Sequence, residues 1–253
     1  AYKTVPGASF WILAGDLTTE PTLDSLWAEL FYAGGFIPRG TPFMPVPGNH
    51  EYRKNPKMDS KQDSKKKSIT PLWQPHFTLP ENGIPSLKET SYFFDYQDVR
   101  FIMLNGTEDF TGQIPWLEKV LSENKCKWTV VTMHQPVYSM GKGRDNKEIR
   151  ESLVPVYDKY HVDLVLQGHD HTYGRTFKLR NNEIVDNKEN GTIYVVSVSG
   201  PKAYELNPLY AKLMAKTGEK TQLFQEISID GGHLIYKSYT VTGKLFDSFE
   251  LRK

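Results

Sequence analysis

Val162-Asp163-Leu164-Val165-Leu166-Gln167-Gly168-His169-Asp170-His171 is the stretch on which the fold of this chain turns. A short run rich in valine and leucine that stops at a glycine reads as a buried strand ending at a sheet edge, where open α/β sheets present their chemistry. Two imidazoles two residues apart on extended backbone point the same way. That spacing suits two nitrogens on one metal, or one nitrogen on each of two adjacent metals. By itself the segment is equally a loop with two solvated histidines, because so short a pattern arises readily by chance.

Three other strand-like runs end the same way. Phe10-Trp11-Ile12-Leu13-Ala14 leads into Gly15-Asp16, and Phe43-Met44-Pro45-Val46-Pro47 into Gly48-Asn49-His50-Glu51. Trp128-Thr129-Val130-Val131-Thr132-Met133 leads into His134-Gln135-Pro136. Four apolar strands that deliver Asp, Asn-His, His and His-x-His to their C-terminal ends form a constellation that chance explains poorly.

The ordered series Gly-Asp, Gly-Asn-His-Glu, His-Gln-Pro and Gly-His-Asp-His resembles the blocks of the calcineurin-like metallophosphoesterases, in order and rough spacing, from about Phe10 to Arg175. Gly48-Asn49-His50-Glu51 and His169-Asp170-His171-Thr172-Tyr173-Gly174-Arg175 are most similar to the purple acid phosphatase branch. The resemblance implies an α/β fold, a four-layer α/β/β/α sandwich of two mixed sheets flanked by helices. It implies hydrolysis of phosphate esters by a metal-bound hydroxide at a binuclear centre of two divalent or trivalent ions, Fe, Mn or Zn.

Roles follow from the resemblance residue by residue. Asp16, Asn49, His134 and His169 would complete one ion, while Asp16, as a bridge, and His171 would begin its neighbour about 3.5 to 4 Å away. His50 would contact phosphate or donate a proton to the leaving alkoxide. Purple acid phosphatases place an iron-binding tyrosine three residues after the bridging aspartate; Thr19 stands there, so no phenolate ligand and no purple colour are expected. They also usually carry a further histidine between Pro136 and Asn146. Here Tyr138, Lys142 and Arg144 are the substitutes, with Arg144 first because its planar fork fits phosphate oxygens, and a surface salt bridge its plainer alternative.

One block is missing. Residues 1 to 15 contain no Asp, Glu, His, Asn, Gln or Cys to supply the first ion. The expectation is that the N-terminal strand carrying that block lies upstream of Ala1. The competing expectation is a non-catalytic or mononuclear remnant of a phosphoesterase scaffold. A lost strand would expose a sheet edge and invite self-association.

Composition sets the remaining bounds. Two hundred and fifty-three residues fit one domain spanning 1–253. A net charge of +1 gives no global field and argues neither for nor against nucleic acid or membranes; the resemblance implies a phosphate ester as partner, with neither nucleic acid nor membrane. No apolar run approaches the roughly 18 residues of a membrane span. The resemblance implies a secreted or periplasmic protein. Cys126 is alone and reads as structural, and Asn105-Gly106-Thr107 and Asn190-Gly191-Thr192 fit the glycosylation pattern.

Periodicity places the rest. Leu23, Leu26, Trp27, Leu30 and Phe31 have helical spacing with a Gly34-Gly35 stop. Helices are also expected from Pro115 and over 147–160. Strands are expected over 92–96, 99–104, 177–186, 192–199, 223–229, 233–241 and 244–251, and a short helix over 208–216. The run from Arg53 to Ser68, with Lys54, Lys57, Lys61 and Lys65-Lys66-Lys67, reads as a solvated loop or, more sharply, a basic flap that attracts anions. His76 reads as a packed structural histidine and His233 as a surface one.

Overall fold

The computed structural model describes residues 1–54 and 67–253, so most of the basic run lies outside the described residues. Its two ends pair: β3 (Tyr52–Lys54) and β4 (Lys67–Ile69) form an antiparallel ladder. They follow β1 (Trp11–Leu13) and β2 (Phe43–Pro45), a parallel pair.

The chain then builds β5 (Tyr92–Tyr96), β6 (Val99–Leu104), β7 (Trp128–Met133), β8 (Leu164–Gln167) and β9 (Tyr173–Thr176). A small hairpin, β10 (Leu179–Arg180) with β11 (Glu183–Ile184), precedes β12 (Ile193–Val196) and β13 (Met214–Gly218). β14 (Leu223–Asp230), β15 (His233–Thr240) and β16 (Leu245–Arg252) close the chain as an antiparallel meander.

The large sheet has the order β13-β9-β12-β8-β7-β6-β5. Its centre is parallel, β12-β8-β7-β6, and its margins are antiparallel. β6 and β7 are buried along their whole length, as expected of parallel strands covered on both faces. Their alternate side chains divide two cores. Ile102, Leu104, Val131 and Met133 pack with Leu117, Val120 and Leu121 of α4 (Ile114–Ser122) and Leu153, Val156 and Tyr157 of α5 (Lys147–Tyr160). Phe101 and Val130 face the other way, onto Leu223, Leu234 and Tyr236 of the meander.

A further helix, α1 (Asp24–Gly34), buries Trp27 against Val46, Trp73 and Phe77 over β1 and β2, and is followed by the one-turn helices α2 (Ile37–Gly40) and α3 (Trp73–His76). The expected α/β sandwich is therefore present, with its second β layer in two pieces, the β1/β2 pair and the meander. Pro42, Pro45 and Pro47 in and beside β2 withhold amide donors and prevent a further ladder there. The meander is fixed to β9 by Asp247, whose carboxylate takes Nε and Nη2 of Arg175 and the hydroxyl of Tyr173.

Most of the long strands and helices fall within a residue or two of their expected places. Three segments differ. The strand expected over 177–186 is broken at Asn181-Asn182, both at positive φ, into the β10/β11 hairpin. The helix expected over 208–216 is a 3-10 turn, Pro208–Leu213, that gives way to β13. Tyr173–Thr176, quoted only as part of a metal block, is strand β9. His76 stacks on Trp27 and Phe31 and bonds the Leu72 carbonyl, a packed histidine as expected; His233 bonds Glu250 on the surface. Asn105 is fully buried, its amide on Tyr52 and Thr90 and its oxygen on two loop amides, so in the folded chain it is closed to glycosylation.

Candidate metal centre

Beyond β1 the chain turns through Gly15 and Asp16, both at positive φ, 85° and 56°. The turn meets the loop after β2 so closely that glycine is required on both sides. A β-carbon on Gly15 would lie 2.6 Å from the Gly48 amide and from His134 Nδ1, and one on Gly48 would lie 2.2 Å from Asp16 Oδ1. Asp16 Oδ1 accepts the His50 amide at 2.9 Å, and Oδ2 lies 3.1 Å from His134 Nε2. Burial by itself would raise the Asp16 carboxyl, but the His134 contact and the His50 amide outweigh it and hold the group at about 2.

His134 leaves the end of β7 fully buried. Its Nδ1 donates to the Ala14 carbonyl at 2.7 Å, the tautomer in which the neutral ring presents the lone pair of Nε2. That lone pair faces Asp16 Oδ2 and His169 Nδ1, the latter at 3.1 Å. Donor atoms of Asp16, His134 and His169 all lie within 4.8 Å of one another. Burial, then the His134 and Arg144 charges, push His169 down to about 3, so its ring is neutral over the ordinary pH range.

Two more donors fit a cation on the same grounds. Asn49 Oδ1 and His171 Nδ1 are buried and have no hydrogen-bond partner among the described residues, an arrangement that costs free energy unless something electropositive faces them. The donor chemistry of carboxylate, amide oxygen and neutral imidazole suits Mn, Fe or Zn.

The His-x-His block does not sit on extended backbone as its sequence suggested. His169 and His171 have φ of 70° and 49°, left-handed conformations in a turn beyond β8. The two rings therefore part: His169 joins His134, while His171 packs against the Tyr204 ring at 4.9 Å. Asp170 between them is fully buried. Its Oδ2 accepts the amides of Met140 and Gly141, and Arg144 approaches Oδ1 at 3.4 Å, which anchors the turn to the loop after β7.

Residues 2–173 match the calcineurin-like phosphoesterase family. The chain belongs to that family. It is 27% identical over 240 residues to probable purple acid phosphatase 20 of Arabidopsis thaliana, covering 91% of this chain and 53% of that protein. Purple acid phosphatase 21 of the same plant is 28% identical over 232 residues, covering 88% of this chain and 50% of its own length. The chain thus spans about half the length of these relatives. Among solved structures, a purple acid phosphatase from yellow lupin (Lupinus luteus) seeds superposes with a TM-score of 0.78 at 23% identity, over 99% of this chain and 47% of that one. A dimetal phosphatase from Danio rerio superposes with 0.54 at 14% identity, over 98% and 85%.

In this member of the calcineurin-like phosphoesterase family the remaining sequence candidates divide. His50 is exposed beside the Asp16 carboxylate, its ring Nδ1 3.4 Å from the Thr19 carbonyl. Arg144 lies near the cluster, tied to Asp170 and the His169 carbonyl and stacked 4.8 Å over Tyr204, with 34% of its side chain exposed. Tyr138 is not brought to the site. It is 1% exposed, its ring packs on Tyr194 and Tyr210, and its hydroxyl bonds Asn182, because the chain after Pro136 turns into the helix-side core.

Sequence reasoning quoted Glu51 and Asp170 inside the motifs but gave them no role. Both are fully buried carboxylates that accept backbone amides from loops of the site. The signal was present: an acid inside a glycine-bounded apolar block must be paired or hydrogen-bonded if it is buried at all.

Proposed function

We propose that this chain hydrolyses phosphate esters at a metal centre in which Asp16, Asn49, His134 and His169 hold one divalent or trivalent ion, with Asp16 and His171 contributing to a second beside it. The observation that carries the reading is the set of ligand-capable atoms of Asp16, His134 and His169, brought from three strand ends to within 4.8 Å of one another. Bound metal supplies Lewis acidity toward phosphoryl oxygens and lowers the pKa of water.

The chain's own groups do the rest. Neutral His169 and ionised Asp16 arrive already in their binding protonation states, so little rearrangement opposes loading there. His50, exposed at the mouth and tethered through its amide to Asp16, gives a proton to the departing ester oxygen as the bond to phosphorus breaks. Arg144, held by Asp170 and Tyr204, offsets charge on the phosphate oxygens. Tyr138 has no part.

A second reading is a one-ion hydrolase, favoured by the fact that Asp16, His134 and His169 are the only three-donor cluster among the described residues. Metal counting on the purified chain separates one ion from two. For the reaction itself, His169→Ala should abolish turnover of a chromogenic phosphate ester while the circular dichroism spectrum is retained; unchanged turnover counts against the reading.

The proposal extends to a secreted or periplasmic protein in which residues 1–253 act as one unit. No helix among the described residues is long and apolar enough to cross a membrane. The same reading includes self-association through a sheet edge, β13 and β5 being the outermost strands of the large sheet.

A further inference from the structure

Glu51 is fully buried, and its two oxygens accept four backbone amides from two loops. Oε2 takes Asp16 N at 2.8 Å and Gly48 N at 2.7 Å, and Oε1 takes Leu17 N at 2.8 Å and Thr18 N at 3.3 Å. One loop carries Asp16 and the other carries Asn49. An ionised carboxylate is the side chain whose oxygens accept on every side and donate on none, so it suits four converging N–H groups.

The need for such an anchor is local. Asp16 sits at φ 56°, a left-handed conformation that a side-chain-bearing residue keeps only when its surroundings impose it. Glu51 bonds the amide of that residue and of the two that follow, and reaches across to Gly48 beside Asn49. Its oxygens are spent on amides, so it is not itself a donor to the cation.

We propose that Glu51 is a positioning residue that locks the Asp16 and Asn49 loops into a single donor set and thereby sets the affinity of the centre for a divalent cation. The proposal rests on the reading of Asp16 and Asn49 as ligands. In Glu51→Gln one oxygen becomes an NH2 group turned toward amide donors, which loosens the two loops where they meet. In Glu51→Asp the charge is kept, but the carboxylate is one methylene too short to serve both loops.

Calorimetric titration with Mn2+ alone tests this on the purified chain, with thermal melts of each metal-free variant and Leu251→Ala as a control destabilised in the meander. The expected result is Mn2+ affinity lower by about tenfold or more in Glu51→Gln, a smaller loss in Glu51→Asp, and no change in Leu251→Ala. A purely structural role would lower the melting temperature of Glu51→Gln as in the control and leave Mn2+ affinity unmoved, and that overturns the proposal. If Glu51→Gln does not fold, Glu51→Asp decides: weakened binding supports the proposal and wild-type affinity overturns it. Absence of Mn2+ binding by the unaltered chain overturns the reading of the site, and the role of Glu51 with it. Mn2+ binding by the unaltered chain with full affinity in both Glu51 variants overturns only the role of Glu51.

Discussion

His134 Nε2 lies 3.1 Å from His169 Nδ1 and 3.1 Å from Asp16 Oδ2, with the other nitrogen of His134 already committed to the Ala14 carbonyl. Residues far apart in sequence reach this point because β1, β7 and β8 all end on one side of the molecule. The arrangement concentrates electron pairs, and it yields predictions that do not depend on which ester is the natural substrate.

Gly48→Ala should damage the site without dismantling the fold. Its β-carbon would lie 2.2 Å from Asp16 Oδ1 and 2.4 Å from the Asp16 backbone nitrogen, so the carboxylate and the turn that carries it must move. Displacement of about 1 Å costs on the order of 100-fold in rate. Turnover of a chromogenic phosphate ester should fall by about that factor, with the melting temperature shifted much less.

Asn49→Leu should separate stability from binding. The buried Asn49 oxygen has no hydrogen-bond partner among the described residues, an arrangement worth about 1–3 kcal/mol of destabilisation. Removing it should raise the melting temperature of metal-free protein while Mn2+ affinity falls. A lower metal-free melting temperature would show that the amide is satisfied in solution.

Asp247→Asn should loosen the meander. Asp247 and Arg175 are both largely buried and joined by two hydrogen bonds, so the variant leaves the guanidinium without its charge partner. Losses of about 3–5 kcal/mol are typical for such a break. Urea unfolding should report a loss of that order, with Mn2+ affinity in the folded protein unaffected.

The Asp95–Arg100 pair should make stability acid-sensitive in a defined direction. Two hydrogen bonds from Arg100 hold the Asp95 carboxyl below its usual value, against the opposing pull of burial. A carboxylate depressed on folding contributes stability above its unfolded pKa, near 3.8, and loses that contribution as pH falls through the lower folded value. Melting temperatures from about pH 5 down to about pH 2 should therefore fall more steeply for the unaltered chain than for Asp95→Asn.

The fold was legible where hydrophobic period was strong. Predominantly apolar runs gave β6, β7 and β8 at or near their observed places, and helical spacing gave α5 in spite of Pro155. Local chemistry was harder to read. Asn181-Asn182 reads as two polar residues within a strand until their positive φ marks a hairpin turn, and β13 has no apolar alternation to announce it, with all five residues half-buried. At the site, residue identities were legible because metal donors are few and chemically distinctive. Their backbone was not: His169 and His171 occupy left-handed turns that neither β-propensity nor spacing signals. Tyr138 was misplaced because sequence shows that a residue follows a metal block, not which face of the sheet its side chain takes.

Metal removal and reloading test the central claim most directly. Turnover of a chromogenic phosphate ester should vanish when the chain is stripped with a chelator, return on addition of Mn2+, Zn2+ or Fe, and fail to return in His134→Ala or His169→Ala. Turnover that survives chelation, or that returns undiminished in either histidine variant, would contradict the assignment of Asp16, Asn49, His134 and His169 to a catalytic metal centre.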